Sequence, residues 1–221
     1  MIAPHPDDEA LGCGGLIASF ASEGRDVRVV FVTDGGASHP GSATWPRERL
    51  ACQRRAEAVD ALDQLGLPAN AGIFLDLSDA DMPALGSASG LAAITALTKV
   101  FIQFRPELVL LPWRRDPHCD HRHSWVLAHA ALARGSLSPA TLEYAVWLDE
   151  FGGEGDHPSM TEAERVGFDI SAVLSAKRAA IAAHLTQTST LIDDDPTAFR
   201  LTSETIARLS GPIETYWRPL S

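Results

Sequence analysis

Residues 2–15 read IAPHPDDEALGCGG, and this stretch indicates the class of fold because it joins a short apolar strand to the start of a helix. Its polar part, His5-Pro6-Asp7-Asp8-Glu9, places one imidazole and three carboxylates directly after the strand. Open α/β sheets bind their ligands at the carboxyl ends of strands. The stretch therefore predicts an α/β architecture and the edge of the sheet at which a functional site lies.

Strand-like and helix-like patterns alternate along most of the remaining chain. Apolar runs predict six strands, at residues 2–4, 27–32, 73–75, 108–111, 141–147 and 214–217. Helical spacing of apolar residues predicts helices at 11–23, 47–65, 89–104, 124–133 and 171–184. This alternation favours an α/β fold, a Rossmann-like three-layer sandwich with a mostly parallel sheet. At 221 residues we expect a single domain over 1–221.

Composition limits the classes of partner. Eighteen basic and twenty-nine acidic side chains give a formal charge of −11, so nucleic acid is an unfavourable partner. No run approaches the ~18 apolar residues that a membrane span needs. Three scattered cysteines do not form a disulfide framework, which favours a reducing compartment. We expect a soluble, cytoplasmic protein with a small-molecule substrate, and the sequence leaves its oligomeric state open, a homo-oligomer included.

A second polar cluster, DPHCDH at residues 116–121, follows the apolar run 108–111. Imidazole and carboxylate groups are ligands for zinc and similar divalent ions, and a catalytic zinc site uses three of them plus a water. His5, one neighbouring aspartate and one histidine of the second cluster would complete such a set. The spare aspartate could then accept a proton from the water, and the spare histidine could act as an imidazolium facing a developing oxyanion.

Spacing alone does not say which aspartate binds the metal and which acts as base. Each cluster taken singly also has an ordinary interpretation, a turn with a capping aspartate. Both clusters together, each after a strand, favour the metal site. Ordinary interpretations remain for Glu9 as a helix N-terminal charge, for Arg54 and Glu57 as a surface ion pair, and for His184 as a core or surface histidine.

Residues 3–15 resemble the opening motif of the PIG-L/LmbE-like family of metal-dependent N-deacetylases. Residues 116–121 are similar to the family's second motif, with Cys119 where proline is common. The resemblance also takes in Arg54 and Glu57, residues 33–35 and residues 177–187, so it covers most of the chain. These enzymes remove acetyl groups from N-acetylglucosamine units of glycolipids, thiol precursors, antibiotics and oligosaccharides.

The resemblance implies a role for each matching position. The implied metal ligands are His5, Asp8 and His121. The implied reacting groups are Asp7 as general base and His118 as the electrostatic partner of the tetrahedral intermediate, with Asp120 orienting His118 and Arg54 contacting substrate. The implied cofactor is Zn²⁺, with Fe²⁺ or another divalent ion as alternatives, and the implied substrate is an N-acetyl amino sugar conjugate.

Two further points stay open at this stage. A non-catalytic metal-containing sugar-binding module, or a metal-dependent hydrolase of another ester or amide, would use a similar metal site. The four residues before His5 are also fewer than the family's first strand usually has, which predicts a weakly anchored first strand and leaves open whether it is truncated. Cys119 is expected to point away from the metal.

Overall fold

A computed structural model of the protein describes residues 1–220. Its seven strands are β1 (Ile2–Ala3), β2 (Val29–Thr33), β3 (Gly72–Leu77), β4 (Leu108–Pro112), β5 (Ala140–Tyr144), β6 (Ala163–Asp169) and β7 (Ile213–Pro219). Its main helices are α1 (Asp8–Ser22), α2 (Arg47–Gln64), α3 (Ala88–Phe104), α4 (Cys119–Arg134) and α6 (Leu174–Ala183). Three short helices complete the set, α5 (Leu148–Phe151), α7 (Leu185–Thr188) and α8 (Ser203–Leu209).

The strands run in the order of a Rossmann-like sheet. β1, β2 and β3 pair in parallel with β2 in the middle, and β4 pairs in parallel with β5. β1 lies beside β4, which gives the spatial order 3-2-1-4-5. β7 and β6 continue the sheet beyond β5 in antiparallel pairings. The predicted α/β fold with a mostly parallel sheet is therefore confirmed, and the antiparallel edge is an addition to it.

Helices cover both faces of the sheet, as a three-layer sandwich requires. On one face, α1, α2 and α6 pack on a core that includes Leu11, Phe31 and Leu62. On the other face, α3 and α4 pack on a second core that includes Leu97 and Leu127. Because helices cover both faces of β1 and β4, a ligand can reach these strands only at their ends. Both polar clusters directly follow the carboxyl ends of these two strands.

The first strand is short but hydrogen-bonded to neighbours on two sides. The Val30 amide donates to Met1 O at 2.9 Å, and the Thr33 amide donates to Pro4 O at 2.9 Å. From the other side, the buried Tyr144 hydroxyl donates to Ile2 O at 2.8 Å. The expectation of weak anchoring overlooked these partners, because they come from β2 and β5 and are not visible in the strand's own sequence.

Two glycines allow α1 to approach the sheet and the chain packed against it. A Cβ on Gly12 would lie 2.3 Å from Cδ2 of Tyr144, and one on Gly15 would lie 2.5 Å from Cδ1 of Ile170. Real Cβ atoms do not come so close to other atoms, so these positions require glycine. Gly12 therefore permits close packing of α1 on β5, and Gly15 permits it on the segment after β6.

The main differences between the predicted elements and the structure lie in the fourth helix, the fifth strand and the C-terminal third of the chain. The fourth helix begins at Cys119, not at 124, because the His118 ring accepts the Asp120 amide and caps the helix earlier than the apolar pattern indicates. The strand predicted over 141–147 ends at Tyr144. β6 and α8 were not predicted, since the exposed β6 lacks a run of buried apolar residues. Within residues 1–220, no helix has both the length and the apolar character needed to cross a membrane.

Candidate metal centre and active site

Three strand ends bring the candidate residues together. β1 ends just before residues 5–9, β4 ends just before residues 116–121, and β3 is followed by Asp79. The first two strands are neighbours at the point where the strand order reverses, which is the place where open α/β sheets form a ligand crevice. Residues far apart in sequence therefore share one small volume.

Asp8 lies between two of the histidines. Its Oδ2 is 3.2 Å from Nδ1 of His5 and 3.2 Å from Nε2 of His121. The ring centroids of these histidines are 5.5 Å apart, and His118 lies 4.6 Å from His5 and 5.3 Å from His121. One donor atom from each of the three rings falls within 4.8 Å of the others. This spacing is compatible with a single cation held between them.

The donor set fits a divalent metal. His121 is fully buried, and neither of its ring nitrogens has a hydrogen bond, although Asp8 and Asp116 lie close to them. A buried imidazole without a hydrogen bond is costly unless another partner satisfies it. Two imidazoles and a carboxylate are a frequent ligand set for catalytic zinc. The residues His5, Asp8 and His121 therefore suit such an ion.

Carboxylates lie behind both of these histidines. Oδ1 of Asp79 and Oδ2 of Asp120 each lie 3.2 Å from Nε2 of His5, and Oδ1 of Asp116 lies 3.4 Å from Nδ1 of His121. A carboxylate on the outer ring nitrogen fixes the tautomer of a metal-binding histidine and its orientation. For His5 this arrangement leaves Nδ1 facing Asp8. Asp120 thus contacts His5 with its carboxylate, whereas its amide is what contacts His118.

Asp7 has an unusual backbone conformation. Its φ of 136° is rare for a residue with a side chain, and such conformations cost about 1–3 kcal/mol and concentrate at functional sites. Asp7 precedes α1, yet its carboxylate makes none of the capping hydrogen bonds typical of that position. Its Oδ2 instead accepts a hydrogen bond from Arg54 at 2.9 Å. The carboxylate is therefore directed towards the crevice and away from the helix.

Burial sets the protonation of Asp7 and His118 in opposite senses. Burial raises the pKa of Asp7 to about 6, the Arg54 guanidinium opposes the rise, and Asp8 adds to it. The pKa of His118 is lowered to about 4, first by burial and then by the neighbouring rings of His5 and His121. A carboxylate with a pKa close to neutral is suited to act as a base. His118 is neutral at pH 7, which differs from the imidazolium expected from the sequence.

The charges around the metal position favour a cation. Burial opposes protonation of His121, but Asp8 and Asp116 outweigh burial and raise its pKa to about 9. Burial likewise opposes ionisation of Asp8, yet His121 and His5 hold its pKa well below the usual value. Without a metal, the carboxylates draw protons onto the imidazoles, so a metal ion would displace those protons when it binds.

A cavity of about 420 Å³ opens over these groups. His5, Asp7, Asp8, Arg54 and His118 line its inner end. The exposed rings of Phe151 and Phe199 line its outer part, and the buried ring of Trp147 lines it as well. The volume lies within the range of roughly 300–1,000 Å³ typical of small-molecule sites. An apolar wall opposite a polar inner end suits a ligand with one reacting polar group and a larger body.

Two loops form part of the rim and are bonded to each other. The Asp194 carboxylate accepts hydrogen bonds from the Ser42 hydroxyl at 2.6 Å and from the Ala43 and Thr44 amides at 2.9 Å each. Next to it, the Asp195 carboxylate accepts the Gly41 amide at 2.7 Å. The loop after β2 and the segment before α8 are therefore joined along several residues.

Arg54 and Glu57 do not pair with each other. Arg54 is 3% exposed and donates to Asp7, to Pro6 O at 2.6 Å and to Gly35 O at 2.8 Å. Glu57 accepts hydrogen bonds from the Thr186 amide and hydroxyl. The surface ion-pair interpretation is therefore wrong. Arg54 lines the cavity, and its contact with substrate stays a prediction.

Of the three carboxylates behind the histidines, sequence reasoning missed Asp79 and Asp116, and it assigned Asp120 to His118 but not to His5. Asp79 had a usable signal, because it follows β3 as the two recognised clusters follow β1 and β4. Asp116 was quoted within its cluster but received no role. Cys119 is solvent-exposed, and its thiol lies 3.6 Å from Oδ1 of Asp120.

Residues 1–132 match the family model described as GlcNAc-PI de-N-acetylase, PIG-L. The 1D-myo-inositol 2-acetamido-2-deoxy-alpha-D-glucopyranoside deacetylase of Mycobacteroides abscessus is 28% identical over an alignment of 253 positions, gaps included, that covers 98% of this chain and 89% of that protein. The fold, the site and these matches define an α/β protein of the de-N-acetylase class. The chain belongs to the PIG-L family, and the resemblance noted from its motifs is confirmed.

Solved structures share the fold at lower sequence identity. N,N'-diacetylchitobiose deacetylase of Pyrococcus horikoshii, in complex with an inhibitor, is similar with a TM-score of 0.69 and 23% identity over 99% of this chain and 82% of that chain. GalB, the 4-carboxy-2-hydroxymuconate hydratase of Pseudomonas putida KT2440, is similar with a TM-score of 0.71 and 18% identity over 100% and 94%. Since one is a hydratase, the fold does not fix the reaction, and the site residues must carry the argument.

Proposed function

We propose that this protein is a metal-dependent deacetylase that hydrolyses the acetamide of an N-acetylated amino sugar, releasing acetate and a free amine. One observation carries the proposal. His5 and Asp8 line the cavity, and the buried ring of His121 lies 3.2 Å behind Asp8. Asp7 and His118 line the same cavity beside them. Membership of the PIG-L family supports the reaction class.

His5, Asp8 and His121 would hold the ion, and Zn²⁺ is the ion proposed because of the donor set, with Fe²⁺ as an alternative. When bound, the ion would polarise the acetamide carbonyl and make a water molecule more acidic. Asp79 and Asp120 behind His5, and Asp116 behind His121, keep the two rings in the orientation that such binding needs.

Asp7 is the proposed general base. Its raised pKa, about 6, lets it be ionised at neutral pH and still accept a proton from the attacking water. The water oxygen adds to the acetamide carbon, and Asp7 takes the proton that the water loses. Asp7 then delivers this proton to the nitrogen as the carbon–nitrogen bond breaks, so the immediate products are acetic acid and a neutral amine. The acid then loses its proton, which gives acetate and a protonated amine at neutral pH.

His118 is the proposed hydrogen-bond donor to the oxyanion. Its Nδ1 accepts the Asp120 amide at 3.2 Å, which leaves the proton of the neutral ring on Nε2. Because its pKa is lowered to about 4, the ring stays neutral while it donates this hydrogen bond. Asp120 therefore orients His118 through its backbone and His5 through its carboxylate.

The substrate body lies in the outer cavity in this proposal. Trp147 and Phe151 provide aromatic faces, and Arg54 provides a cationic group at the inner end. Aromatic rings pack well on the apolar faces of sugar rings. A cytoplasmic location remains a prediction from sequence, and the oligomeric state remains open, a homo-oligomer included.

The proposal is tested by a substrate screen. Purified protein, loaded in turn with Zn²⁺ and Fe²⁺, is incubated with a panel of N-acetylglucosamine conjugates, and the free amine is measured by fluorescence and the acetate by an enzymatic assay. Equimolar amine and acetate, both lost in the Asp7→Asn variant, are expected. Ligand binding without any release of acetate would instead indicate a sugar-binding module, and hydrolysis confined to esters would indicate another hydrolase class.

A further inference from the structure

The backbone of Asp7 is held by a side chain from the first turn of α1. With a φ of 136°, Asp7 needs a stabilising partner, and its amide donates to Oε2 of Glu9 at 2.9 Å. This bond resembles one half of a capping box, in which the third helical residue reaches back to the N-cap amide, but here the second helical residue, Glu9, does so. The other half would use the Asp7 carboxylate as a cap, and this half is missing. Glu9 thus satisfies the amide and leaves the Asp7 carboxylate free.

Glu9 is held in turn by a histidine from the C-terminal part of the chain. Its second oxygen, Oε1, lies 2.6 Å from Nε2 of His184, at the junction of α6 and α7. Glu9 and His184 are 0% and 1% exposed. A carboxylate buried this completely keeps one position only when both oxygens have partners. The chain Asp7 amide, Glu9 carboxylate and His184 ring is therefore continuous.

The α6–α7 junction is itself fixed to α2. Directly after His184, the Thr186 amide and hydroxyl donate to Glu57 at 3.0 and 2.7 Å. Glu57 lies on α2 one turn after Arg54, which holds the Asp7 carboxylate. Both parts of Asp7 are thus connected to α2. Its backbone is connected through Glu9 and the His184 segment, and its side chain through Arg54.

We propose that His184 is a positioning residue for the general base. It holds Glu9, and Glu9 holds the Asp7 backbone in the conformation that points the carboxylate into the cavity. His184 does not line the cavity, so it acts through Asp7 and not on substrate. This inference rests on the proposed function, in which Asp7 is the base.

The kinetic experiment uses His184→Ala and His184→Gln, each loaded with Zn²⁺. We expect His184→Ala to lower kcat about 10- to 100-fold, the usual effect of removing an outer hydrogen-bond partner, with KM and zinc content unchanged. Gln should recover most of kcat because its side-chain amide nitrogen can donate to Glu9. His129→Ala, which removes a partly buried histidine stacked on Trp125, is the matched control and should keep full activity.

A double variant tests whether the effect passes through the base. In an Asp7→Asn background, His184→Ala should cause no further loss of kcat, because the group it positions is already absent. The proposal would be overturned if His184→Ala lowered kcat by the same factor in the Asp7→Asn background as in the wild type. It would also be overturned if loss of zinc accounted for the lower activity of His184→Ala. If His184→Ala does not fold, His184→Asn serves instead, since its shorter side chain keeps a polar group but does not reach Glu9.

Amide hydrogen exchange tests the same idea without any substrate. The Asp7 amide of ¹⁵N-labelled protein should exchange slowly in the wild type and in His184→Gln, and much faster in His184→Ala. Unchanged exchange in His184→Ala would overturn the positioning role even if deacetylation is found. Faster exchange with no deacetylation of any substrate would support the positioning role and refute the proposed function, so the two failures are distinct.

Discussion

The Arg54 guanidinium donates a hydrogen bond to Oδ2 of Asp7 across 2.9 Å, and both side chains are buried. Burial and Arg54 act on Asp7 in opposite directions. Burial favours the neutral acid, and the guanidinium favours the carboxylate. The balance leaves the Asp7 pKa near 6, where the group is ionised at neutral pH and is still basic.

Removal of Arg54 should shift the pH profile. Arg54→Met keeps much of the side-chain volume but removes the charge that lowers the Asp7 pKa, so that pKa rises. The acidic limb of kcat/KM, which requires ionised Asp7, should move to higher pH by about 1 to 3 units. Arg55→Met, which removes an exposed partner of Asp76, is the control and should leave the limb in place. An unmoved limb in Arg54→Met would show that Asp7 is not the titrating base.

Two adjacent aspartates should respond differently to the same substitution. Asp7→Asn should keep the zinc content and lower kcat about 100- to 10,000-fold, because a general base is lost. Asp8→Asn should lose zinc, because a ligand is lost. Metal analysis and single-substrate kinetics on both variants decide the matter. Zinc loss in Asp7→Asn together with zinc retention in Asp8→Asn would mean that the two roles are exchanged.

The two carboxylates on Nε2 of His5 should partly replace each other. Asp79→Asn and Asp120→Asn each leave one carboxylate 3.2 Å from that nitrogen, so each should weaken zinc binding only modestly. The double variant should weaken it about 10- to 100-fold. Competition with a zinc chelator measures the affinities, and Asp81→Asn, an exposed aspartate close by, is the control. If the losses of zinc affinity in the two single variants add up to the loss in the double variant, the two carboxylates do not replace each other.

The metal-free protein should lose stability as the pH rises. The folded-state pKa of His121 is raised from 6.5 to about 9, so the stability it contributes is fully present below 6.5 and is lost as the pH passes 9. Thermal unfolding of the protein after chelation should therefore give a Tm that falls between pH 6.5 and 9. Saturating zinc, which takes the place of the proton, should flatten this dependence. His121→Ala is the comparison, and it should show a smaller fall than the wild type.

Gly12→Ala should destabilise the fold. Its Cβ would lie 2.3 Å from the ring of Tyr144, and the buried ring is tied by its hydroxyl to Ile2 O. Overpacking of this kind costs about 1–3 kcal/mol in the free energy of unfolding, measured by urea titration. Gly155→Ala, where nothing lies within 4 Å of the new Cβ, should have a much smaller effect. Equal stability of the two variants would show that Tyr144 can move aside.

The sequence predicted the parallel part of the fold well, because buried strands and amphipathic helices have strong periodic signals. The sequence also predicted the candidate metal ligands and reacting groups in residues 5–9 and 116–121, since they are concentrated in two short stretches that follow strands. Glu9 and His184 were not. Their pairing joins the first helix to the C-terminal part of the chain, and a lone histidine in a helical stretch carries no sign of its partner. The neutral state of His118 was also out of reach, because it follows from burial and from neighbouring rings.

The hydrogen bonds of Asp194 and Asp195 to residues 41–44 have a consequence for how this enzyme could acquire a new substrate. Exchange of residues 34–46 alone for those of a relative would break the bonds to the second loop, and exchange of the second loop alone would break the same bonds from the other side. Substrate range at this rim should therefore diversify through paired replacement of both loops, and engineered chimaeras should be built with both segments taken from one parent.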